Sequence, residues 1–575
     1  MKKRPLVIVL ILAGFLYTSA CNQHKNPPAD TVLIHARIYT VNAKKPWAQA
    51  IAIRAGQIIA VGSDEEIAAY QGRSTKVIDA KERMALPGLM DAHVHMMAGA
   101  AQLEGISFND AKTVEDFQKV IKDYAAAHPD KKWIQGMGWV YSTFKNNLPN
   151  KKLVDEVVPD RPVYLAAYDG HTALANSKAL QAAGITRKTP DPPSGIIVRD
   201  PTTGEPTGVL KEAAEQLVAK VIPPSTHEEE LDRLTKAIHY ASSLGLTRLI
   251  SAGADAERVD LFDEIRKKGD LTARFTMARF TNAPVTPDEI KTLEEHRKKY
   301  ADDWIDAGQV KFLLDGVIEA HTAAMLEPYE KDPSNRGLLY FDPEKYRESV
   351  IQLDRLGFPI STHAIGDRAI RLALDAYEAA NKANGRTEVR DRIEHIEAPS
   401  AQDIPRFGKL NVIAGMQPLH ATPDPNNFGP WAGSIGPQRA QRAFPWHSIL
   451  ASGARLSFGS DWCVVTLNPW PGIQILLTRE TPEGLPAGGW LPNERLTLEQ
   501  AIEGYTMGGA IAAKREKTEG SIEVGKLADV IIISQDLFKI APNQIGKTKV
   551  MMTMVGGKVV YQDPSWGGEI AFVSK

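Results

Sequence analysis

The chain has 575 residues, of which 43% are hydrophobic and 24% charged, and its 68 Lys and Arg almost balance its 70 Asp and Glu. These proportions exclude a disordered or collagen-like chain, and the formal charge of −2 argues against a nucleic-acid-binding protein. Only two cysteines occur among 14 histidines, which excludes a disulfide scaffold and a cysteine-based zinc ribbon and leaves a histidine-rich metal site open.

The first twenty residues have the pattern of an export signal. Three basic residues precede Leu6–Leu16, an unbroken apolar run that is too short for a membrane span of about 20 residues, and small residues follow it. Residues 1–20 are therefore predicted to be a signal peptide. Because Cys21 comes next, the segment resembles a bacterial lipoprotein signal, although Thr18 stands where that family usually has leucine. Plain secretion is the alternative.

The lipoprotein resemblance implies lipidation of Cys21 in the bacterial cell envelope, facing the periplasm or the outside. Residues 21–30 are polar and contain proline, which predicts a tether. Signal cleavage would remove Lys2, Lys3 and Arg4, so we expect the lipid alone to hold the protein at a membrane. Cys463 would then be a lone thiol, interpreted as a small packed apolar side chain.

The two ends of the chain share a β-strand texture. Residues 31–86 contain short runs rich in Val and Ile with a predicted turn at Ala55–Gly56, and residues 511–575 contain similar runs with a turn at Gly556–Gly557. Isolated hairpins are marginally stable. We therefore expect both ends to combine into one small composite β-sandwich.

Residues 87–510 alternate apolar runs with helical stretches such as His227–Leu244, which predicts a parallel sheet with helices, open or closed. Several runs end in a side chain that can bind a metal: His93 and His95, Lys311, His363, His395 and Asp461. In a (β/α)8 barrel the strand ends build the active site. Because residues two apart on a strand face the same side, His93 and His95 can reach one metal ion. The order of these side chains along the chain predicts a metal site.

Specific segments resemble the amidohydrolase superfamily, and its family 3 branch in particular. They are LPG (86–88) before DAHVH (91–95), THAIGDRA (362–369), RIEH (392–395), MQP (416–418), GSDW (459–462) and GSIEVGKLAD (520–529). The resemblance implies an α/β fold with a (β/α)8 barrel at residues 87–510 and a water activated by a divalent metal, zinc being expected, with one or two ions.

The resemblance also implies roles for individual residues. His93, His95 and Asp461 would hold one metal, and His363 and His395 would hold a second. Lys311 occupies the place of a lysine that is carboxylated in related enzymes and bridges two metals, with an ordinary ion-paired lysine as the alternative. Asp461 would be the general base.

The barrel strands were assigned by counting back from Lys311 as the end of strand 4. Strands 2 and 3 are then 246–253 and 273–280, and strands 5 to 8 end near His363, His395, Gln417 and Asp461. Residues 133–139 and 162–170 have no barrel position, and three ordinary strand–helix units need only about 100 residues. An insertion at about 105–230 is therefore predicted.

Five further residues are predicted to contact a small-molecule substrate: His171, Gln417, His420, Glu319 and His321. The segment 317–322 departs from the small residues and arginine common in the family, which puts substrates carried over from better-known members in doubt. We expect hydrolysis of a non-peptide carbon–nitrogen bond. A deaminase, a lactonase or esterase, a ligand-binding lipoprotein without turnover, and a homodimer are left open.

Overall fold

The computed structural model describes residues 27–108, 111–385, 391–567 and 570–572. The predicted signal peptide 1–20, the lipidation site Cys21 and the first six residues of the tether lie outside the described residues. Within the described ranges, no helix combines the length and the apolar character that a membrane span requires.

Seven short strands and one helix precede the barrel. They are β1 (Thr31–Ile34), β2 (Arg37–Tyr39), β3 (Trp47–Ala48), β4 (Ala50–Arg54), β5 (Gln57–Gly62), α1 (Asp64–Ala68), β6 (Lys76–Asp79) and β7 (Met84–Pro87). The predicted turn between β4 and β5 is confirmed, because Ala55 and Gly56 have φ of 49° and 78°, the positive values that a tight two-residue hairpin turn requires.

The first barrel strand, β8 (Leu89–Val94), is followed by a separate sheet before the second barrel strand begins. Its elements and the flanking helices are α2 (Met96–Glu104), β9 (Ile106–Ser107), α3 (Val114–Ala127), β10 (Ile134–Trp139), α4 (Lys152–Asp155), β11 (Val163–Ala167), β12 (Thr172–Ala175), α5 (Ser177–Ala182), β13 (Gly195–Arg199), β14 (Pro206–Glu212) and α6 (Gln216–Ala219). The sheet has the strand order β13-β14-β12-β11-β10-β9.

The remaining barrel strands alternate with helices. They are α7 (His227–Ser243), β15 (Leu246–Gly253), α8 (Val259–Lys268), β16 (Arg274–Phe280), α9 (Pro287–Lys299), β17 (Ile305–Leu313), α10 (Pro343–Arg355), β18 (Ile360–Ala364), α11 (Asp367–Asn384), β19 (Arg392–His395), α12 (Ile404–Leu410), β20 (Ile413–Met416), α13 (Ala432–Ile435), α14 (Pro437–Ala440), α15 (Trp446–Ala451), β21 (Arg455–Phe458) and α16 (Pro469–Thr478). The helix predicted to begin at His227 is confirmed, with Leu244 as its C-cap.

The eight barrel strands lie in chain order, β8 and β15 to β21, and each pairs in parallel with the next. Each assigned barrel strand is found where the strand count placed it. The barrel is nearly closed, because beyond the ends of β21 and β8 Asp461 N donates to His93 O (2.7 Å) and His95 N donates to Trp462 O (2.7 Å). Strands of such sheets are buried on both faces and therefore appear in sequence as continuous apolar runs.

The last elements are α17 (Leu498–Glu503), α18 (Gly509–Ala512), β22 (Val530–Ile533), β23 (Val550–Val555), β24 (Lys558–Gln562) and β25 (Ile570–Phe572). Strands from both chain ends form two sheets, β25-β6-β1-β4-β5 and β24-β23-β22-β7-β2-β3. Leu33 and Ile53 of the first sheet and Ile38 and Ile532 of the second belong to one buried apolar cluster. Both ends of the chain therefore contribute to one packed unit.

Two buried ion pairs join the barrel to the C-terminal part of the chain. Arg248 contacts Glu519 through two nitrogens (2.6 and 2.7 Å), and Arg274 contacts Asp529 in the same way (2.8 and 3.1 Å). Arg248 and Arg274 lie near the N-terminal ends of β15 and β16. These pairs therefore attach the terminal segments to the end of the barrel opposite the strand C-termini.

Candidate metal centre and substrate cavity

The barrel brings the six residues predicted as metal ligands to one cavity. His95 Nε2 lies 3.1 Å and His93 Nε2 3.5 Å from Asp461 Oδ1. Lys311 Nζ is 3.4 Å from His93 Nε2, and His395 Nδ1 is 3.8 Å from Asp461 Oδ2. The ring centroids of His363 and His395 are 4.4 Å apart. Side chains from five strand ends thus converge within contact distance.

The backbone at the strand ends turns these side chains inward. His395 and Asp461 have φ of 73° and 57°, values that are uncommon for residues other than glycine and that cluster at functional sites. A Cβ at Gly459 would lie 2.5 Å from His93 N, so only glycine lets the end of β21 approach β8 closely enough to place Asp461 beside the histidines.

Two groups of donor atoms are close enough to hold a metal ion. His93, His95 and Asp461 form one group, and His395, His420 and Asp461 form the other. In the described part of the chain, His395 Nδ1, His420 Nε2 and Asp461 Oδ1 are buried and have no hydrogen-bond partner. Buried polar atoms normally have one. Donor atoms that face one another without hydrogen bonds fit a bound cation, so the residues present suit a divalent metal.

The second group differs from the predicted pair of His363 and His395. His420 is in this group with His395, and His363 Nε2 lies 3.3 Å from Gly316 O and 3.6 Å from Asp315 Oδ1. His363 remains in the cavity wall, but its donor atoms are outside both groups.

The electrostatics favour the neutral form of His93 and His395 and the ionised form of Asp461, whereas carboxylates raise the pKa of His95 and His420. Burial lowers the pKa of His93 to about 4 and that of His395 well below its ordinary value. Burial would raise the pKa of Asp461, but His93 and His95 hold it well below its usual range. Burial also lowers the pKa of Lys311 to about 8. Neutral imidazole and ionised carboxylate are the forms that bind metals.

Two carboxylates that were not predicted as site residues support the ligands. Glu394 Oε2 lies 2.9 Å from His93 Nδ1, and Glu394 Oε1 accepts a hydrogen bond from Ser361 Oγ (2.7 Å). Asp91 accepts hydrogen bonds from the backbone N–H groups of His93 (3.1 Å) and Ser460 (3.0 Å). Both lie inside the motifs DAHVH and RIEH, so the signal was present, and carboxylates commonly orient metal-binding histidines in this way.

The cavity has a volume of about 1640 Å³, and residues of the barrel and of the inserted sheet line it. Of the predicted substrate contacts, His171, Glu319 and His420 line the cavity. Gln417 and His321 are not among the residues that line it. Gln417 is only 1% exposed and lies behind the wall.

His321 is turned away from the cavity. Its ring stacks on Tyr329 with 4.5 Å between centroids, and its Nε2 lies 2.9 Å from Ser434 Oγ. The predicted effect of segment 317–322 on pocket charge therefore depends on Glu319 alone, which accepts a hydrogen bond from Tyr168.

Apolar side chains surround the cavity mouth. Phe280, Phe428 and Leu485 line the cavity and are 37%, 48% and 61% exposed. They belong to three different segments, so sequence patterns gave no reason to group them. Exposed apolar patches on soluble proteins commonly mark binding surfaces.

The sequence profile described as the amidohydrolase family matches residues 76–561. Protein LONG AFTER FAR-RED 3 of Arabidopsis thaliana is 32% identical over 566 residues, which cover 96% of each chain. An N-substituted formamide deformylase of Arthrobacter pascens is 27% identical over 546 residues, 93% of this chain and 98% of that protein. The solved structure of an uncharacterized metal-dependent hydrolase from Pyrococcus horikoshii matches the fold with a TM-score of 0.69 at 23% identity, over 90% of this chain and 99% of that one.

Proposed function

The chain belongs to the amidohydrolase family, and from this premise we propose that it is a metal-dependent hydrolase of a non-peptide carbon–nitrogen bond in a small molecule. The observation that carries the proposal is the convergence of His93, His95, His395, His420 and Asp461 in one large cavity, where the buried atoms His395 Nδ1, His420 Nε2 and Asp461 Oδ1 have no hydrogen-bond partner among the described residues. A structural cluster of histidines would have its buried nitrogens hydrogen-bonded.

His93, His95 and Asp461 would hold one ion, and His395 and His420 would complete a second set with the same aspartate. A bound divalent metal supplies Lewis-acid chemistry and lowers the pKa of water, zinc being the ion that imidazole and carboxylate suit best. Asp461 is buried and ionised, and it accepts a proton from the attacking water. The oxygen of that water forms the new bond to the carbonyl carbon, the C–N bond breaks, and Asp461 returns the proton to the leaving nitrogen.

Lys311 lies next to the donor set, with its Nζ 3.4 Å from His93 Nε2. We propose that it is carboxylated when metal is bound, because a carbamate at this place would add a negative charge between the two donor groups. The test is intact mass and ¹³C NMR of the metal-loaded protein in labelled bicarbonate. An unmodified amine at Lys311 would contradict this part of the proposal.

The cavity favours a substrate with a polar reacting group and an apolar part. The reacting group would lie at the donor set, and the apolar part at Phe280, Phe428 and Leu485. The relative described as an N-substituted formamide deformylase makes N-substituted amides and formamides the first compounds to test. A deaminase or a lactonase could use the same metal site, so aminated heterocycles and lactones belong in the same panel.

The test combines metal analysis with this panel. We expect one or two equivalents of divalent metal in the purified protein and release of amine from an amide substrate. Asp461→Asn should lose activity at least 100-fold, whereas Asp123→Asn on the exposed face of α3 should leave it unchanged. A metal-free protein with a fully active Asp461→Asn variant would sink the proposal, and a metal-bound protein without turnover would favour the ligand-binding alternative.

We further propose that the protein is exported and held at a membrane by a lipid on Cys21, with no nucleic-acid partner. Expression of the full chain in bacteria with radiolabelled palmitate should label the protein, and Cys21→Ser should remove the label and release the protein in soluble form. Label that persists in Cys21→Ser would contradict the anchor.

A further inference from the structure

His171 is held in the cavity wall by contacts on two sides. Its Nδ1 lies 2.8 Å from Glu212 Oε2, and its backbone N–H donates to Asp169 Oδ1 (2.9 Å). The side chains of His171 and Glu212 are 14% and 2% exposed. The two residues belong to neighbouring strands of the inserted sheet, at the start of β12 and the end of β14. The insertion therefore presents a fixed imidazole to the barrel mouth.

Glu212 is a buried carboxylate that needs a counter-charge. Tyr340 donates its hydroxyl to the same Oε2 atom. His171 is the basic side chain that forms an ion pair with Glu212. In the described ranges, no lysine or arginine lies within ion-pair distance of this carboxylate. Burial would raise the pKa of Glu212, but His171 and Tyr340 lower it. Because an unpaired buried carboxylate is costly, the ion pair makes His171 the cation.

The cationic ring leaves one N–H directed at the cavity. With Nδ1 donating to Glu212, the second donor is Nε2, for which no protein hydrogen-bond partner exists in the part of the chain that the structure describes. The ring centroid of His171 is 5.4 Å from that of His363, so His171 lies one side chain away from the donor set. Glu212 also has a φ of 52°, a conformation that costs energy and that recurs at functional sites.

We propose that His171, oriented by Glu212, binds the carbonyl oxygen of the substrate and donates Nε2–H to the oxyanion that develops there during hydrolysis. This inference rests on the proposed function and names the oxygen-binding group of the same site. His171 touches the substrate, whereas Glu212 is a positioning residue that holds the imidazole in its tautomer and charge. No proton leaves His171, since the donated hydrogen bond only stabilises the charge that forms on oxygen.

The test uses the full chain loaded with Zn²⁺ and phenylphosphonate as an oxyanion probe. We expect His171→Gln to weaken phenylphosphonate binding 10- to 100-fold by calorimetry and to lower kcat about 100- to 1000-fold, the range for loss of one oxyanion donor. KM should change less than fivefold and metal content should stay equal to wild type. Glu212→Gln should weaken binding in the same direction, and its kcat loss should be the smaller of the two.

His128→Ala is the matched control, because His128 also lies in the insertion but stacks on Tyr124, with 4.1 Å between ring centroids, outside the cavity. It should leave affinity, kcat and metal content unchanged. Suppose that the wild type is active and that His171→Gln has a phenylphosphonate affinity and a kcat within threefold of the wild-type values. This result overturns the inference and leaves the proposed function intact. Loss of metal in His171→Gln also overturns it, since the residue would then support the ligands. A wild type without metal, turnover or phosphonate binding overturns both the inference and the proposed function.

Discussion

The buried ion pair between Arg274 and Asp529 should contribute strongly to stability. The two side chains are 2% and 4% exposed, and Asp529 accepts two hydrogen bonds from Arg274 and one from Gly556 N (2.6 Å). Asp529→Asn turns an amide donor towards the guanidinium and leaves a buried cation without its partner. Breaking such a pair costs about 3–5 kcal/mol.

This cost can be converted into a melting temperature. At about 2.1 cal/mol/K per residue, cooperative unfolding of 575 residues has an entropy of about 1.2 kcal/mol/K, so we expect Tm to fall by about 2.5–4 °C. Differential scanning calorimetry at one fixed scan rate is the assay, because large chains often unfold irreversibly.

A control pair and a double variant test the reasoning. The pair Lys119–Asp123 is also close, at 2.6 Å, but its side chains are 74% and 60% exposed, so Asp123→Asn should change Tm by less than 1 °C. Arg274→Met combined with Asp529→Leu should recover most of the loss, since apolar replacement of a buried pair is often neutral. Two results would refute this reasoning. In the first, Asp529→Asn shifts Tm no more than Asp123→Asn does. In the second, the decrease in Tm of the double variant equals the sum of the decreases of the two single variants.

Three other outcomes are expected. Glu394→Gln should weaken metal binding about 10- to 100-fold in chelator competition, because Glu394 orients His93; an unchanged affinity would show that the contact does not matter. Burial raises the pKa of Asp391 to about 7, so this carboxyl stays protonated up to about pH 7 in the folded chain. In the unfolded chain the same carboxyl loses its proton near pH 4. Stability should therefore fall between about pH 4 and 7, and Asp391→Asn should flatten that part of a Tm–pH profile, whereas an unaltered slope would exclude this group. Phe428→Ala and Leu485→Asp should raise KM several-fold for amides with an aromatic or long acyl group and leave it unchanged for formamide itself; equal effects on both substrates would refute an apolar subsite.

The strand positions and most of the metal centre were predictable from the sequence. Parallel barrel strands are buried on both faces and appear as apolar runs, so their ends could be located and His93, His95, His395 and Asp461 assigned to the same edge. The profile match over residues 76–561 agrees with the resemblance that the short motifs carried. Composition alone does not support this assignment, because it contains no positional information.

Only the tertiary structure decided which side chains meet. Strand periodicity predicts the side of the strand to which a residue points, but only the fold shows that His420, in the loop after β20, also lies within metal-binding distance of His395 and Asp461. Glu319 and His321 are two residues apart, yet one faces the cavity and the other packs on Tyr329. The pairing of His171 with Glu212 joins residues 41 positions apart.

The physical reason is the range of each interaction. Local sequence sets backbone preference and burial over a few residues, and these were enough to predict the barrel, the hairpin turns and the barrel edge at which the candidate metal-binding side chains lie. Contacts between loops depend on packing across the whole barrel mouth, where the inserted sheet covers the strand ends. The sequence by itself therefore determined the family and located the candidate metal-binding side chains, and folding decided the shape of the cavity and the placement of His171 and Glu212 in its wall.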